Sequence, residues 1–187
     1  MNRNLNVLEI HTDGACSGNQ NDENVGGWGA ILKYNSNEKE LFGGEVNTTN
    51  NRMELMALLR AFQAINKPGQ NIVVFSDSAY LVRCFNEKWY EKWLQNGWKN
   101  TAKKPVENKD LWEQLLPFLA VHTIKFNKVK GHVNLNSKST NFEKHFEKFI
   151  AANGTKFSYE DFIHATEMNN RADALANKGI DLARSGM

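Results

Sequence analysis

The segment at residues 71–77 constrains the fold more than any other part of the chain. It reads Asn-Ile-Val-Val-Phe-Ser-Asp, a continuous apolar run that ends in polar residues. A run of this kind is typical of a strand that is buried on both faces, because a half-exposed strand alternates apolar and polar residues. Helical patterns precede and follow it. The segment therefore predicts a central strand in an α/β domain.

The remaining strands are predicted from alternation and turn residues. Residues 8–13, 26–34 and 39–46 each suggest a strand, and the first stops at Gly14. The Asn-Ser-Asn sequence at 35–37 indicates a hairpin, so these three strands form an antiparallel meander. Residues 121–129 alternate again and predict a fifth strand. The expected result is one domain with a mixed sheet.

Helices are predicted between and after these strands. Residues 52–65 are rich in helix-forming residues, with Asn50 or Asn51 available as N-cap. Shorter helices are expected from Ser78 to about residue 85 and at 110–116. The last third of the chain is helical. Two capping patterns begin its helices there, Thr140 with Glu143 and Ser158 with Asp161.

Composition excludes several classes of protein. The 187 residues suffice for one domain with a core and scarcely for two. Two cysteines make neither a disulfide framework nor a four-cysteine zinc site. No run of eighteen apolar residues is present, and the first residues lack a secretory pattern. We expect a cytoplasmic protein with reduced thiols, without a membrane partner, and monomeric by default.

Although the net charge is only +2, the sequence contains two basic patches. Residues 88–109 carry six lysines against two glutamates, and residues 121–138 carry four lysines and no acid. The first patch also holds Trp89, Trp93 and Trp98, three of the five tryptophans. Lysines interleaved with aromatic rings suit nucleic acid. The same spacing equally suits tryptophans that anchor a core beneath lysine side chains, and both interpretations stay open.

Four acidic residues stand out by their positions. Asp13 and Asp77 end predicted strands, Glu54 lies in the first turn of an apolar helix, and Asp173 lies among alanines. If the fold gathers them, their mutual repulsion calls for a hard divalent cation, Mg²⁺ or Mn²⁺. Because no His/Cys cluster competes, zinc is less suited to them. Taken singly, each acid is also typical of a cap or turn.

A resemblance decides between these interpretations. Seven strings, in the same order as in the family, resemble bacterial type 1 ribonuclease H; they lie at residues 12–19, 26–29, 48–57, 76–80, 97–106, 130–132 and 169–176. The resemblance implies a ribonuclease H-like fold, with three antiparallel strands followed by two parallel ones. It implies an endonuclease that cuts the RNA strand of an RNA–DNA hybrid and leaves 5′-phosphate and 3′-hydroxyl ends, largely without regard to sequence.

The resemblance also assigns roles to residues. The metal-binding and catalytic carboxylates fall on Asp13, Glu54, Asp77 and Asp173, which would hold two Mg²⁺ ions, with Mn²⁺ as a substitute. His132 matches a loop histidine that assists proton transfer or product release. The predicted substrate-binding residues contact the minor groove, a DNA-strand phosphate, or the hybrid through a basic protrusion at about 86–109; they are Cys16, Asn19, Thr49, Asn50, Asn51, Arg52, Trp89, Trp93, Trp98, Lys99, Lys103 and Lys104.

One departure from the family concerns residues 133–168. The family usually has a short loop before the last catalytic aspartate, whereas this chain carries about thirty further residues with their own amphipathic helix. We expect a packed extension of a single domain spanning 1–187, because Phe142, Phe146 and Phe149 need burial. A lid or an extra contact with substrate is the alternative. An inactive hybrid-binding module and another nuclease of the same superfold are the competing functions.

Overall fold

The chain is described by a computed structural model that covers residues 6–18 and 23–186. Its centre is a five-stranded sheet in the order β3-β2-β1-β4-β5. The strands are β1 (Val7–Ser17), β2 (Val25–Tyr34), β3 (Asn37–Val46), β4 (Asn71–Ser76) and β5 (Thr123–Lys128). β1, β2 and β3 pair antiparallel, and β4 and β5 add in parallel beside β1. This arrangement confirms the predicted mixed sheet.

The first strand differs from its prediction. We expected β1 to stop at Gly14, with Asp13 at its end, but the strand continues to Ser17. The pairing of β1 with β4 ends at Thr12, whereas its pairing with β2 continues to Ser17 opposite Val25. A glycine does not end a strand when the neighbouring strand still supplies hydrogen bonds. Asp13 therefore lies inside β1, one residue beyond the end of the parallel pairing.

The described residues form six helices: α1 (Asn50–Gln63), α2 (Ala79–Asn86), α3 (Trp89–Asn96), α4 (Lys109–Val121), α5 (Phe142–Asn153) and α6 (Tyr159–Ser185). The N-cap of α1 is Thr49, whose hydroxyl accepts a hydrogen bond from the backbone nitrogen of Arg52. The expected asparagine caps were therefore wrong. The expected Thr140 cap was wrong too. Asn141 caps α5, because the Thr140 hydroxyl donates instead to the carbonyl of Asn134.

α1 and α6 pack on opposite faces of the sheet. A Cβ on Gly26 would contact Met53 of α1, whereas a Cβ on the next residue, Gly27, would contact Ala176 of α6. Successive strand residues point to opposite faces, so these contacts identify the two layers. Val74 of β4 is buried in the core beneath α1, and Phe75 belongs to a second core on the α6 side. The predicted burial of β4 on both faces is confirmed.

Residues 133–168 form part of the second core. Phe149, Phe157 and Phe162 are buried there against Phe75 and Val129. The side-chain amide of Asn153 donates to the Lys128 carbonyl at 2.7 Å and accepts from the Lys128 nitrogen at 2.8 Å. These two bonds satisfy backbone groups on the outer edge of β5, a position that otherwise invites pairing with another chain.

The long last helix joins this segment to the predicted site. α6 runs without interruption for 27 residues and begins with the predicted capping box of Ser158 and Asp161. Its first ten residues lie in the segment that we treated as an insertion, and the remainder carries Asp173. Within the described residues, no helix is both long and apolar enough to cross a membrane.

Candidate active site

Two of the predicted acidic residues lie side by side at one edge of the sheet. Thr12 of β1 and Ser76 of β4 are register partners, and Asp13 and Asp77 are the residues that follow them. Because the two strands are parallel, the residues beyond a register pair leave the sheet at the same edge. Parallel pairing therefore brings together two carboxylates that are 64 positions apart in the sequence.

Glu54 reaches the same place from α1. It is the fifth residue of the helix, in the second turn and not in the first turn as expected, because α1 begins at Asn50. The backbone of α1 comes close to β1 at Gly14, where a Cβ would lie 2.5 Å from the Glu54 nitrogen. Any larger residue there would push the helix away. The glycine thus permits the approach that buries the Glu54 side chain at 6% exposure.

Asp173 is placed by the close packing of α6 on β2 and β3. A Cβ at Gly27 or Gly29 would collide with backbone atoms of Ala176 or Ala172. Gly179 of α6 similarly faces the backbone of Gly43. Because no side chains separate them, the helix and the sheet come close enough for Asp173 to raise the pKa of Asp13. Asp173 itself is half-buried.

The carboxylates converge. Single oxygen atoms of Asp13, Glu54 and Asp77 all lie within 4.8 Å of one another. Burial, followed by the charge of Asp77 and a contact with Asp173, raises the pKa of Asp13 to about 8. Burial together with the charges of Asp13 and Asp77 raises the pKa of Glu54 well above its usual range. The protein alone therefore does not stabilise full ionisation of this cluster.

The cluster suits a hard divalent cation. Its donors are carboxylate oxygens, the ligands that Mg²⁺ and Mn²⁺ prefer. Oε2 of Glu54 is buried and has no hydrogen-bond partner among the described residues. An orphaned buried carboxylate oxygen is costly unless a cation or donor completes it. These observations fit the metal-binding role that the resemblance implies for Asp13, Glu54, Asp77 and, on the rim, Asp173.

The loop after β5 surrounds Asp77. Burial raises the pKa of Asp77, and the charges of Lys128 and His132 act against that increase. Gly131 packs directly on the Asp77 carboxyl group. His132 is exposed and adopts a left-handed conformation with φ of 57°. The loop thus brings the predicted histidine beside the cluster while leaving it open to solvent.

Lys128 is a site residue that sequence reasoning missed. It is the last residue of β5 and the register partner of Ser76, so parallel pairing brings it beside Asp77. Its ammonium group is half-buried and donates to the Val129 carbonyl at 2.8 Å. A lysine at the carboxyl end of a predicted parallel strand is the signal that identifies it, once the strand order is known.

The predicted minor-groove and phosphate residues lie around the start of α1. Asn50 and Asn51 are exposed, and the half-buried Cys16 directs its thiol to the Thr48 carbonyl at 3.6 Å. Thr49 is exposed. The Arg52 guanidinium is bound to Glu45 at 3.0 Å and to Asp110 at 2.8 Å, so it is not free for a phosphate. Asn19 lies outside the described residues.

The tryptophans of the basic protrusion differ in burial. The sequence left open whether they anchor the core or contact nucleic acid. Trp93 is 8% exposed and packs edge-on against the fully buried Trp112, with ring centroids 5.2 Å apart. It is an anchor of the core, and its ring offers no face to a ligand. Trp89 and Trp98 are half-buried, and a cationic side chain lies over each ring. The predicted lysines of the protrusion are exposed; they are Lys99, Lys103 and Lys104.

Comparison with known proteins agrees with this geometry. The RNase H family model matches residues 6–144. Ribonuclease H of Chlorobaculum parvum is 50% identical over 126 residues, which cover 67% of this chain and 84% of that protein. The crystal structure of LC9-RNase H1, described as a type 1 RNase H with the type 2 active-site motif, has a TM-score of 0.60 at 24% identity, covering 87% of this chain and 84% of that one. LC11-RNase H1 in complex with an RNA/DNA hybrid has a TM-score of 0.51 at 18% identity, covering 94% and 98%. The two structures show the fold, and the family model with the 50% identical relative shows that the chain belongs to the ribonuclease H family of enzymes.

Proposed function

We propose that the chain hydrolyses the RNA strand of RNA–DNA hybrids endonucleolytically, using two Mg²⁺ ions, and leaves 5′-phosphate and 3′-hydroxyl ends. The convergence of the Asp13, Glu54 and Asp77 oxygens within 4.8 Å carries this proposal. A protein that only bound hybrids would gain nothing from such a cluster, since uncompensated carboxylates repel the phosphates of the ligand. Mn²⁺ has the same preference for oxygen ligands and is the expected substitute.

The carboxylates would hold the ions, with Asp13 between the others. When bound, the two ions acidify the attacking water and neutralise the charge that develops on the phosphorane and the leaving 3′-oxygen. Burial of Glu54 excludes bulk water from one side of the cluster and fixes the direction of its carboxylate. Asp173 is half-buried beside Asp13 and would complete the ligand set.

His132 and Lys128 would assist from the other side. His132 is exposed and close enough to Asp77 to influence its pKa, so its imidazole can transfer protons between the site and solvent. Lys128 is tied to the Val129 carbonyl and contributes a fixed positive charge beside Asp77. That charge favours the ionised form of Asp77, which is the form that binds a cation.

Hybrid binding would rest on contacts that do not read bases. Exposed lysines of the protrusion meet phosphates, and Trp89 and Trp98 stiffen that surface. Asn50, Asn51 and Cys16 would contact the minor groove, where 2′-hydroxyls distinguish RNA from DNA. Thr49 would receive a phosphate of the DNA strand. Because Arg52 is already bound to two carboxylates, we assign its role to holding α1 against α4.

The segment at 133–168 supports this site structurally in our proposal. Of the phenylalanines expected to be buried, Phe149 is buried, whereas Phe142 and Phe146 are half-buried. The segment also buries Phe157 and Phe162 and extends α6, the helix that carries Asp173. We also infer that the protein acts as a single-domain monomer. We place it in the cytoplasm, a reducing compartment in which the free thiols of Cys16 and Cys84 persist.

The test is cleavage of end-labelled substrates of one sequence: RNA–DNA, RNA–RNA, DNA–DNA and single-stranded RNA. We expect internal cuts in the RNA strand of the hybrid alone, with Mg²⁺ and not with EDTA. Asp13→Asn should abolish cutting while hybrid binding survives. The matched control, Asp181→Asn, changes an exposed acid on α6 and should cut normally. Binding without cutting by the unaltered chain, in Mg²⁺ and in Mn²⁺, would replace our proposal with an inactive hybrid-binding module.

A further inference from the structure

A second cluster of metal-ligating side chains lies away from the four carboxylates. It consists of Glu9, His11 and His164, whose ligand atoms lie within 4.8 Å of one another. Glu9 and His11 are on β1, and His164 is in the second turn of α6. In the sequence, His164 is 155 positions from Glu9, so only the packing of α6 on the sheet forms the cluster.

The three ligand atoms lie close together. Oε2 of Glu9 is 3.2 Å from Nε2 of His11 and 2.9 Å from Nε2 of His164. A tetrahedral zinc site with bonds of about 2.0–2.1 Å has ligand atoms about 3.3 Å apart. These two separations are therefore close to those of a zinc site, and the two histidine nitrogens lie within 4.8 Å of each other. Small side-chain rotations would bring the three atoms to the ideal spacing.

The surroundings hold one histidine firmly and leave the cluster accessible. His11 is 1% exposed and its ring stacks on Phe75, with centroids 5.1 Å apart. Its Nδ1 is buried and has no hydrogen-bond partner among the described residues, so only Nε2 is engaged with the other two residues of the cluster. Glu9 and His164 are about one third exposed, which leaves an entry path and room for a water ligand.

The charge of the cluster also suits a cation. Burial tends to raise the pKa of Glu9, but hydrogen bonds from His11 and His164 outweigh it and hold that pKa well below its usual range. The hydrogen bonds thus favour the ionised form of the Glu9 carboxylate. An ionised carboxylate with two imidazoles is a donor set known for zinc and other divalent transition metals, and it differs from the all-oxygen set around Asp13.

We propose that Glu9, His11 and His164 form a binding site for a divalent transition-metal ion such as Zn²⁺, separate from the carboxylate site. Glu9, His11 and Asp13 are two residues apart from one another and therefore lie on the same face of β1, so Asp13 is about 7 Å from His11 along the strand. His164 precedes Asp173 by nine residues on α6, about 14 Å along the helix. A metal at this site ties β1 to α6, the two elements that carry Asp13 and Asp173.

The experiment uses the full chain with Asp13→Asn and Asp77→Asn, so that the carboxylate site does not contribute. After EDTA treatment and its removal, Zn²⁺ is titrated against a chromogenic chelator, and Co²⁺ binding is followed by visible absorption. We expect one tightly bound Zn²⁺ per chain, a Co²⁺ spectrum of four- or five-coordinate type, and a melting temperature that rises with Zn²⁺ concentration.

Two variants in the same background locate the site. His164→Ala removes a partly exposed ligand, and Glu9→Gln keeps a hydrogen-bond acceptor for both histidines while removing the charge. Each should weaken Zn²⁺ binding at least tenfold, whereas His145→Gln, a control on α5, should not change it. The absence of stoichiometric Zn²⁺ binding would overturn the proposal and leave a hydrogen-bonded strut between β1 and α6. Unchanged binding in both ligand variants would overturn it equally.

Discussion

Replacing Asp13 by Asn should stabilise the metal-free protein at alkaline pH. Asp13 is 3% exposed, and burial with the nearby carboxylates raises its pKa to about 8 from an ordinary value of 3.8. Because the folded-state pKa lies above that of the unfolded chain, ionisation opposes folding. The destabilisation is absent below pH 3.8, grows as the pH rises, and is complete near pH 8.

The size of the effect follows from the difference between the pKa of Asp13 in the folded protein and its ordinary value. One pKa unit corresponds to about 1.4 kcal/mol, so about four units set an upper limit of about 6 kcal/mol at pH 8. The Asn amide is itself buried and lacks some of its hydrogen bonds, which costs about 1–3 kcal/mol. We therefore expect a net gain of about 3–5 kcal/mol at pH 8. At pH 5 the penalty in the parent is only about 2 kcal/mol, which the cost of the buried amide offsets, so the net gain is close to zero.

The assay is urea unfolding of parent and variant in EDTA at pH 5 and pH 8, with circular dichroism as the readout. The free energy of unfolding of the parent should fall between the two pH values, and that of Asp13→Asn should fall less. Added Mg²⁺ should reverse the order, because only the parent keeps the full ligand set. Asp181→Asn, at an exposed position on α6, should follow the parent throughout.

Two results would refute this reasoning. One is an Asp13→Asn protein in EDTA at pH 8 that is no more stable than the parent. The other is a gain of the same size at pH 5 and pH 8, since a pH-independent gain cannot come from ionisation of Asp13. Either result would mean that the buried carboxylates are not mutually repulsive in the folded protein, and the argument for a compensating cation would lose its basis.

Three further predictions concern packing and substrate binding. Phe162→Ala removes a ring that is 2% exposed and should cost about 3–5 kcal/mol in urea unfolding, whereas Leu182→Ala, at 55% exposure, should change stability by less than about 0.5 kcal/mol. Gly27→Ala pushes α6 away from β2 and should lower kcat for hybrid cleavage at least tenfold, because Asp173 moves with the helix; Gly186→Ala, which meets no atom closer than 3.7 Å, should leave kcat unchanged. Replacing the exposed lysines of the protrusion by Ala should weaken hybrid binding and reduce the slope of log K against log salt by about 2–3, and an unchanged slope in a filter-binding titration would contradict their contact with phosphates; these lysines are Lys99, Lys103 and Lys104.

Much of the fold follows from patterns that act over a few residues. The apolar run at 71–77 predicts a strand buried on both faces, and Val74 and Phe75 are indeed buried in different cores. The Asn-Ser-Asn turn predicts the hairpin, and Ser158 with Asp161 predicts the cap of α6. Such features are readable because alternation, capping and turns depend on neighbours in the sequence.

Element boundaries were less predictable. β1 passes Gly14 because β2 continues to pair with it, and Thr49 caps α1 because its hydroxyl accepts a hydrogen bond from the backbone nitrogen of Arg52. Several residues near each boundary could end the strand or cap the helix, and the hydrogen bonds of the folded protein decide which one does. Local propensity ranks these candidates closely, and tertiary contacts choose among them.

The acidic residues of the site were identifiable from the sequence, although their convergence was not. Asp13, Glu54 and Asp77 meet because β1 and β4 pair in parallel and because Gly14 admits α1. Spacing along the chain carries no information on either contact. The role of Lys128 beside Asp77 likewise becomes visible only when β5 is placed next to β4.

The sequence by itself determined the strands, the helices other than α3 and the set of acidic residues, because each rests on short-range patterns or on strings shared with a family. Only the tertiary structure decided that Trp93 is a core anchor, that Arg52 is bound to Glu45 and Asp110, and that His164 meets Glu9. The physical reason is that a side chain's partners are set by how helices and strands pack. That packing depends on the shapes of whole surfaces, here above all on the glycines that let α6 lie against the sheet.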